Sequence, residues 1–391
     1  MRALAFLIVS GIAHALACRW WLAVMPASVA RQRRAHAIAG GLSLVLPVLR
    51  LVRERARSSG LDALYAIGLV EVAAVVLALV PLGLVLLLSR SGSKVVRAMT
   101  PPTTEREHAA HVTRRRALEQ LAGATVASVT TSALGWGYVR GRHDFQLEEI
   151  EVRVRHWPKA LDGYTIVQVS DVHVGAFVGD RELREGFELV RRARPDLLVA
   201  TGDLVDMDAE EVRALLVRMA ASGARDGAYA ILGNHDHYAG ARAVTGFFRA
   251  SEVRLLDNAH ARLRRGDGGG FALLGVDDLH GRRGGSPEHA GPDLARALRG
   301  LDQDIPRILL AHQPKFFEES QGLVDLQLSG HTHGGQINPG VRPASMVMDF
   351  VAGRYERAGS TLYVNRGFGV TGPPSRVGAP PEVTKLVIVS G

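Results

Sequence analysis

Apolar residues follow two different patterns along the chain, and the change falls near residue 140. Before it they form long runs. Ala3 to Cys18 is apolar apart from Ser10 and His14, and extends to Met25 only by including Arg19. His36 to Leu49 is shorter and interrupted by Gly40, Gly41 and Pro47. Leu61 to Leu88 is the strongest run, with no charged residue from Val72 to Leu88, enough to cross a typical hydrocarbon core. Glu71 is then expected near the interface rather than at mid-membrane. Leu121 to Val139 is weaker, being rich in Ala, Gly, Ser and Thr. We expect three or four membrane-spanning helices. Buried helices of a soluble domain are a workable alternative for His36 to Leu49 and a poor one for Val72 to Leu88.

From Asp162 onward the pattern shortens to β-branched runs separated by helical stretches. Tyr164 to Ser170, Leu197 to Thr201 and Ala228 to Leu232 read as buried strands. Arg181 to Arg194 and Ala209 to Ala221 read as the helices between them. Phe271 to Gly275, Ile308 to Ala311 and Leu326 to Ser329 continue the series. Such alternation predicts an α/β layered sheet with its function at the C-terminal ends of strands. The expected organisation is a membrane region over 1–140, a linker over 141–152 and one catalytic domain over 153–390.

Composition alters this picture little. The formal charge of +8 and pI near 10.0 suit a protein facing nucleic acid or anionic lipid. Lys94, Lys159, Lys315 and Lys385 are the only lysines, however, so the balance is nearly all arginine, as a GC-rich genome would produce. The arginines of the soluble half are dispersed and lack interleaved aromatics, so no nucleic-acid partner is expected. Cys18 is the only cysteine, which rules out an intrachain disulfide and any thiolate metal site. Metals must be held by His, Asp, Glu or Asn.

The chemistry lies just beyond the predicted strands. Ser170 leads into Asp171-Val-His173, Thr201 into Gly202-Asp203-Leu-Val-Asp206, and Leu232 into Gly233-Asn234-His235-Asp236. Ala311 leads into His312, and Ser329 into Gly330-His331-Thr-His333-Gly-Gly-Gln336. Any one of these would pass for an ordinary turn or a surface histidine. Five strand ends that each deliver a carboxylate, imidazole or carboxamide are the economical way to converge ligands at one sheet edge. Glycines before Asp203, Asn234 and His331 allow the backbone to pass close to the site.

In their order and spacing these motifs resemble the calcineurin-like metallophosphoesterases. Gly-His-Thr-His-Gly-Gly-Gln and the later Asn365-Arg366-Gly367-Phe-Gly369 look like the bacterial membrane-associated branch. The similarity covers about Arg153 to Ser390. It implies a four-layer α-β-β-α sandwich carrying two divalent metal ions, with a phosphate ester as substrate. By position, Asp171, His173 and His333 would hold one metal, and Asn234, His312 and His331 the other, with Asp203 bridging. His235 would be the catalytic residue at the scissile phosphate or leaving oxygen. The implied reaction is phosphodiester or phosphomonoester hydrolysis by a metal-bridging hydroxide. Two metals at roughly 3.5–4 Å can clamp phosphate oxygens and acidify a shared water. Mixed Asp, His and Asn ligands suit Mn, Fe or Zn better than Ca or Mg. Asp206 and Asp236 are candidates to orient ligand histidines or to cap turns. Arg366 is a candidate for substrate phosphate or a structural salt bridge. His237 reads as pocket lining, Asp277 and Asp278 as stabilising their loop, and Gly281 to Pro292 as a flexible loop beside the cleft.

Arginines flanking the spans bear on orientation. The connector Arg90 to Arg116, with Arg114-Arg115-Arg116, is expected to stay in the cytoplasm. A crossing by Leu121 to Val139 then places the catalytic domain outside the bacterial inner membrane, although Arg50, Arg53, Arg55 and Arg57 sit on the wrong side of a four-span scheme. Thr113 to Leu118 resembles a twin-arginine export signal, departing from it in being internal and in having Ala117 where a Phe is usual. The expected function is therefore a membrane-anchored phosphoesterase acting on a lipid-linked or cell-envelope phosphate ester, the lipid part resting on the anchors alone. The alternatives are a cytoplasm-facing phosphohydrolase of nucleotide-linked lipid precursors or cyclic nucleotides, and a non-catalytic sensor of a phosphate ligand.

Overall fold

The computed structural model describes residues 2–25, 28–55, 59–99, 104–175, 177–264, 269–283, 289–338 and 340–391. Arg57 and the middle of the Gly281–Pro292 loop lie outside them. The chain divides into two compact units, residues 1–138 with 372–374, and residues 139–371 with 375–391.

The first unit is helical: α1 (Arg2–Val24), α2 (Val29–Arg55), α3 (Ser59–Met99) and α4 (Glu105–Val139). Among the described residues, three stretches are long and apolar enough to cross a membrane, Leu7–Val24, Val29–Val52 and Gly60–Val96. The second is longer than its sequence pattern suggests, because α2 runs on through Gly40, Gly41 and Pro47. Leu121 to Val139 lies in α4, outside these three. That helix packs on α1 through Gly123, where an added Cβ would fall 1.9 Å from the Trp20 ring, and Gln120 Nε2 donates to the Val24 carbonyl at 3.4 Å. Glu71 has a partner on α1. His14, midway along Leu7–Val24, sits with its Nε2 2.9 Å from Glu71 Oε1. Two ionisable groups on neighbouring apolar helices satisfy each other this way.

Among the described residues, the second unit holds twelve strands: β1 (Gln146–Val154), β2 (Tyr164–Val169), β3 (Leu197–Thr201), β4 (Ala228–Ile231), β5 (Arg254–Leu255), β6 (Ala259–Arg264), β7 (Gly270–Gly275), β8 (Arg307–Leu310), β9 (Leu326–Ser329), β10 (Gly353–Arg357), β11 (Ser360–Val364) and β12 (Glu382–Ser390). They form two six-stranded sheets, ordered β1-β12-β2-β3-β4-β5 and β10-β11-β9-β8-β7-β6. Most of the expected linker is therefore strand. Residues 146–154 pair in parallel with β12, from Gln146 opposite Glu382 to Val154 opposite Ser390. Val152 and Val154 are buried while Glu149, Glu151 and Arg153 are exposed, a half-buried alternation that the charged residues of the segment had masked.

Period-two alternation builds the layers. Ile166, Leu197, Val199, Tyr229 and Ile231 face the second sheet, meeting Phe271, Leu273, Ile308, Leu310, Leu326 and Leu328 in a shared core. Val167, Val169, Leu198, Ala200 and Ala230 point the other way, onto the helices α5 (Asp180–Ala193) and α6 (Val212–Ala220) and the longer α7 (Asn234–Phe248). Ala272, Leu274 and Leu309 on the outer face of the second sheet lie under short helical segments. The result is the four-layer α-β-β-α sandwich. Strands β2, β3 and β4 run parallel, as do β7, β8 and β9, so their C-terminal ends open on common edges. Gln168 joins the two sheets, its Nε2 donating to Thr201 Oγ1 at 2.9 Å and to the Ser329 carbonyl at 3.0 Å.

Candidate metal centre

Each candidate ligand sits immediately after a strand. Asp171 and His173 follow β2, Asp203 follows β3, Asn234 and His235 open α7 after β4, His312 follows β8, and His331 and His333 follow β9. Five of them, Asp171, His173, Asp203, His331 and His333, adopt left-handed backbone with φ of 52°, 50°, 51°, 71° and 51°. Such conformations cost on the order of 1–3 kcal/mol each and persist only where surroundings over-determine them. The surroundings here are backbone hydrogen bonds between loops. Asp171 N–H donates to the Gly202 carbonyl and His173 N–H to the Asp203 carbonyl, both at 3.0 Å, while Gly369 N–H donates to the Asp171 carbonyl at 2.8 Å. The close approach also needs Gly330, where a Cβ would fall 1.9 Å from Ser170 Oγ and 2.1 Å from Asp171 Oδ2.

The side chains converge. Ligand atoms of Asp171, His173 and His333 lie within 4.8 Å of one another, as do those of Asp203, His312 and His331. Asp203 stands between the groups, its Oδ2 3.5 Å from His173 Nε2 and 3.3 Å from His312 Nε2. Its Oδ1 accepts the His235 N–H at 2.7 Å. His173 Nε2 and His333 Nε2 face each other at 3.1 Å, and His331 Nδ1 lies 3.2 Å from His312 Nε2. Imidazole lone pairs gathered this closely around a carboxylate are a cation's donor set.

Two further observations test that fit. Asn234 Oδ1 is buried without a hydrogen-bond partner among the described residues, an orphaned acceptor that a metal would satisfy. The His312 Nδ1 hydrogen bonds to the Thr201 carbonyl at 2.8 Å, which leaves its Nε2 as the lone-pair atom facing Asp203. Electrostatics agree. Burial holds His173 below its ordinary pKa, and burial with the neighbouring His173 and Arg376 holds His333 well below it, so both rings stay neutral and able to ligate. Burial also lowers His331, with His312 adding to the effect. Burial opposes ionisation of Asp203, but His312 and His173 outweigh it and hold the carboxyl well below the usual carboxylate range. Against the burial that opposes its charge, Asp203 raises His312 well above its ordinary value, so its Nε2 would give up a proton to become a ligand. The residues therefore fit a pair of divalent cations.

His235 stands at the edge of this group, its ring 4.5 Å from that of His173. Its Nδ1 hydrogen bonds to the Asp206 carbonyl at 2.9 Å, with Asp206 Oδ1 3.4 Å away. Burial disfavours its charge, but the Asp206 hydrogen bond and the Asp203 carboxylate prevail and raise it to about 9. Asp206 thus orients His235, and lies 4.0 Å from His173 Nδ1. Asp236 instead fastens backbone: Oδ1 accepts from Leu204 and Val205 N–H, and Oδ2 from Gly233 N–H at 2.8 Å. Burial and Asp203 raise its carboxyl to about 7. Arg366 is engaged by two carboxylates, with Nη2 2.6 Å from Glu148 Oε1 and Nε 2.7 Å from the buried Glu382. His237 lies apart from the centre, on Asp277 Oδ1 at 2.8 Å.

Arg376 was not singled out in the sequence. Its guanidinium is 1% exposed, donates to the carbonyls of Gly367, Gly369 and Ala379, and places Nη2 3.2 Å from His333 Nδ1. Burial lowers it to about 9. It presses on the back of His333 and braces the Gly367–Gly369 backbone beneath Asp171. A lone arginine far from the strand-end motifs offers no sequence signal of this. Beside the centre opens a cleft of about 370 Å³ lined by Asn234, His331, Tyr238, His280, Arg282 and Lys315.

Comparison with known proteins places these features in context. A family model described as calcineurin-like phosphoesterase matches residues 164–335. An uncharacterized metallophosphoesterase of Bacillus subtilis is 31% identical over 290 residues, covering 71% of this chain and 98% of that protein. A transmembrane protein with metallophosphoesterase domain from Danio rerio is 33% identical over 273 residues, covering 67% of this chain and 62% of that one. The chain thus spans less than two thirds of the length of that vertebrate relative. Among solved structures, a dimetal phosphatase from Danio rerio aligns over 53% of this chain and 88% of that one, at 13% identity with a TM-score of 0.35.

Proposed function

From the premise that this chain belongs to the calcineurin-like metallophosphoesterase family, we propose that it is a membrane-associated hydrolase of phosphate esters with a binuclear metal centre. Asp171, His173 and His333 would hold one ion, Asn234, His312 and His331 the other, and Asp203 both. The observation that carries this reading is the placement of Asp203 Oδ2 within 3.5 Å of one histidine from each group. When bound, the two cations, for which Mn, Fe or Zn suit the ligands, supply positive charge to the phosphoryl oxygens and acidify water.

The chain's own residues supply the rest. His235, held through Nδ1 by Asp206 at the edge of the ligand group, would use Nε2 as donor to the phosphoryl or leaving oxygen. Asp206 accepts from Nδ1–H, and the pKa raised to about 9 keeps the ring an imidazolium, so the proton to be given away is the second one, on Nε2. Asp236 and the left-handed loops keep the ligand geometry rigid before substrate arrives. Lys315 and Arg282 on the cleft wall would attract an anionic ester. Apolar helices in the same chain as such a domain favour an ester of the membrane or cell envelope over a freely soluble one.

On the membrane side, four crossings with an exported domain are supported by α4, whose Leu118, Leu121, Val129, Trp136 and Val139 are exposed apolar side chains suited to lipid. The second reading, a domain in the cytoplasm acting on nucleotide-linked precursors, is favoured by the composition of that same helix, which falls outside the three most apolar ones. Fusions after Gly391 decide it: alkaline phosphatase activity without green fluorescence supports export, and the reverse supports the cytoplasmic reading. Hydrolysis of bis-p-nitrophenyl phosphate by the detergent-solubilised chain, before and after chelation, tests the chemistry. Binding of phosphate esters without turnover in any metal would leave the sensor reading.

A further inference from the structure

A second group of metal-ligating side chains lies outside the binuclear centre. Asp257 follows β5, Asp277 follows β7, and His289 lies on the loop beyond it, with ligand atoms within 4.8 Å of one another. Asp277 and His289 are 3% and 4% exposed. His289 Nδ1 is 3.2 Å from Asp257 Oδ2, yet the ring is turned so that, among the described residues, it makes no hydrogen bond, and Asp257 Oδ1 is likewise buried without a partner among them. A simple histidine–aspartate pair would turn the ring to bond. Two unpartnered donor atoms aimed into one small space, flanked by a second carboxylate, are what a cation would satisfy.

We propose that Asp257, Asp277 and His289 form a third metal site, for a divalent ion such as Zn or Mn, that clips the loop after β7 onto the domain. Two carboxylates and one imidazole make an oxygen-rich mixed donor set of the kind those ions accept. The neighbourhood holds Asp277 still: its Oδ1 accepts from His237 Nε2 and Asp278 N–H, both at 2.8 Å, and its Oδ2 from Gly291 N–H at 2.9 Å. Asn258 ties the same strand ends together, accepting from Asp277 N–H and Asp293 N–H and donating to the Gly291 carbonyl. The donors therefore come from three separate chain segments that backbone hydrogen bonds already bring together.

The site's position gives it a task. Between Asp277 and His289 runs the loop that carries Leu279, His280 and Arg282 into the wall of the cleft. Its stems close where Gly281 meets Gly291, a contact too tight for a side chain. A cation on Asp277 and His289 fixes both ends of this glycine-rich segment, and Asp257 anchors them to β5. This site is structural, ordering the cleft wall, and stands independently of the binuclear reading.

The test uses the full chain in detergent, stripped with chelator and reloaded with Zn or Mn. Metal content should be about three equivalents, and about two in His289→Ala and in Asp257→Asn. Metal should also protect the loop from trypsin at Arg282 and Arg283 in the native sequence. That protection should survive Asp203→Asn, which addresses only the binuclear centre, and vanish in His289→Ala and Asp257→Asn. If one variant fails to fold, the other carries the comparison. The proposal is overturned by a native content of about two with protection unchanged in both variants, or by a third equivalent that both variants retain.

Discussion

Asp203 is the residue on which most of the chemistry turns, because it contacts His173, His312 and the His235 backbone at once. Asp203→Ala should lower kcat by a factor of ~10³ or more and reduce bound metal, read by steady-state kinetics and metal analysis in parallel. His235→Ala should behave differently. It should retain its metals and lose a factor of about 10²–10⁴ in kcat, with less effect on KM, as expected for a lost proton donor. The same imidazole makes a pH prediction for the chelated protein. Its folded pKa, about 9, stands above the ordinary value, so it favours folding fully below about pH 6.5. That contribution is lost as pH rises through 9. Urea melts of chelated protein at pH 6.5 and 9.5 should show this decline, and His235→Gln should make it shallower; parallel declines in both proteins would contradict the assignment. Binding two cations nearby would itself oppose the imidazolium, so the metal-loaded enzyme should show a smaller effect.

At the level of elements, the strands that deliver chemistry were the legible ones. β2, β3, β4, β8 and β9 are apolar runs that stop abruptly at Asp, Gly or His, and each was located within a residue or two. β1 and β12 were harder to see. β1 carries Glu149, Glu151 and Arg153 on its exposed face and Glu148 on the other, and its pairing partner lies more than two hundred residues away, beyond the reach of a local pattern. The candidate ligands were legible as residue types at strand ends. Their left-handed backbones were not, since those depend on hydrogen bonds between loops. Nor was Arg376, whose part depends on burial, or the direction of Asp236, which holds backbone rather than a histidine. Loop proximity makes Gly330 a sharp test: Gly330→Ala should push Ser170 and Asp171 aside, costing about 1–3 kcal/mol of stability and weakening metal retention together. Equilibrium unfolding and metal analysis on one preparation would check both. In the shared core of the two sheets, Leu273→Ala should cost about 2–5 kcal/mol without altering metal content in the folded fraction.

For the whole molecule, the apolar helices and the phosphoesterase domain are distinct units, and three stretches of the first are long and apolar enough to cross a membrane. The chain should sediment with membranes and resist extraction by alkaline carbonate, as three apolar helices of this length demand. Partition into the carbonate supernatant would remove the membrane account. Catalysis is the central claim. The most direct test is hydrolysis of bis-p-nitrophenyl phosphate and p-nitrophenyl phosphate by the full solubilised chain, titrated with Mn, Fe, Zn and Mg after chelation, with Asp203→Ala as control. The account predicts turnover that vanishes on chelation, returns with a transition metal, and is absent in the variant. A folded, fully metal-loaded protein that hydrolyses neither ester, or native turnover that Asp203→Ala leaves intact, would contradict it.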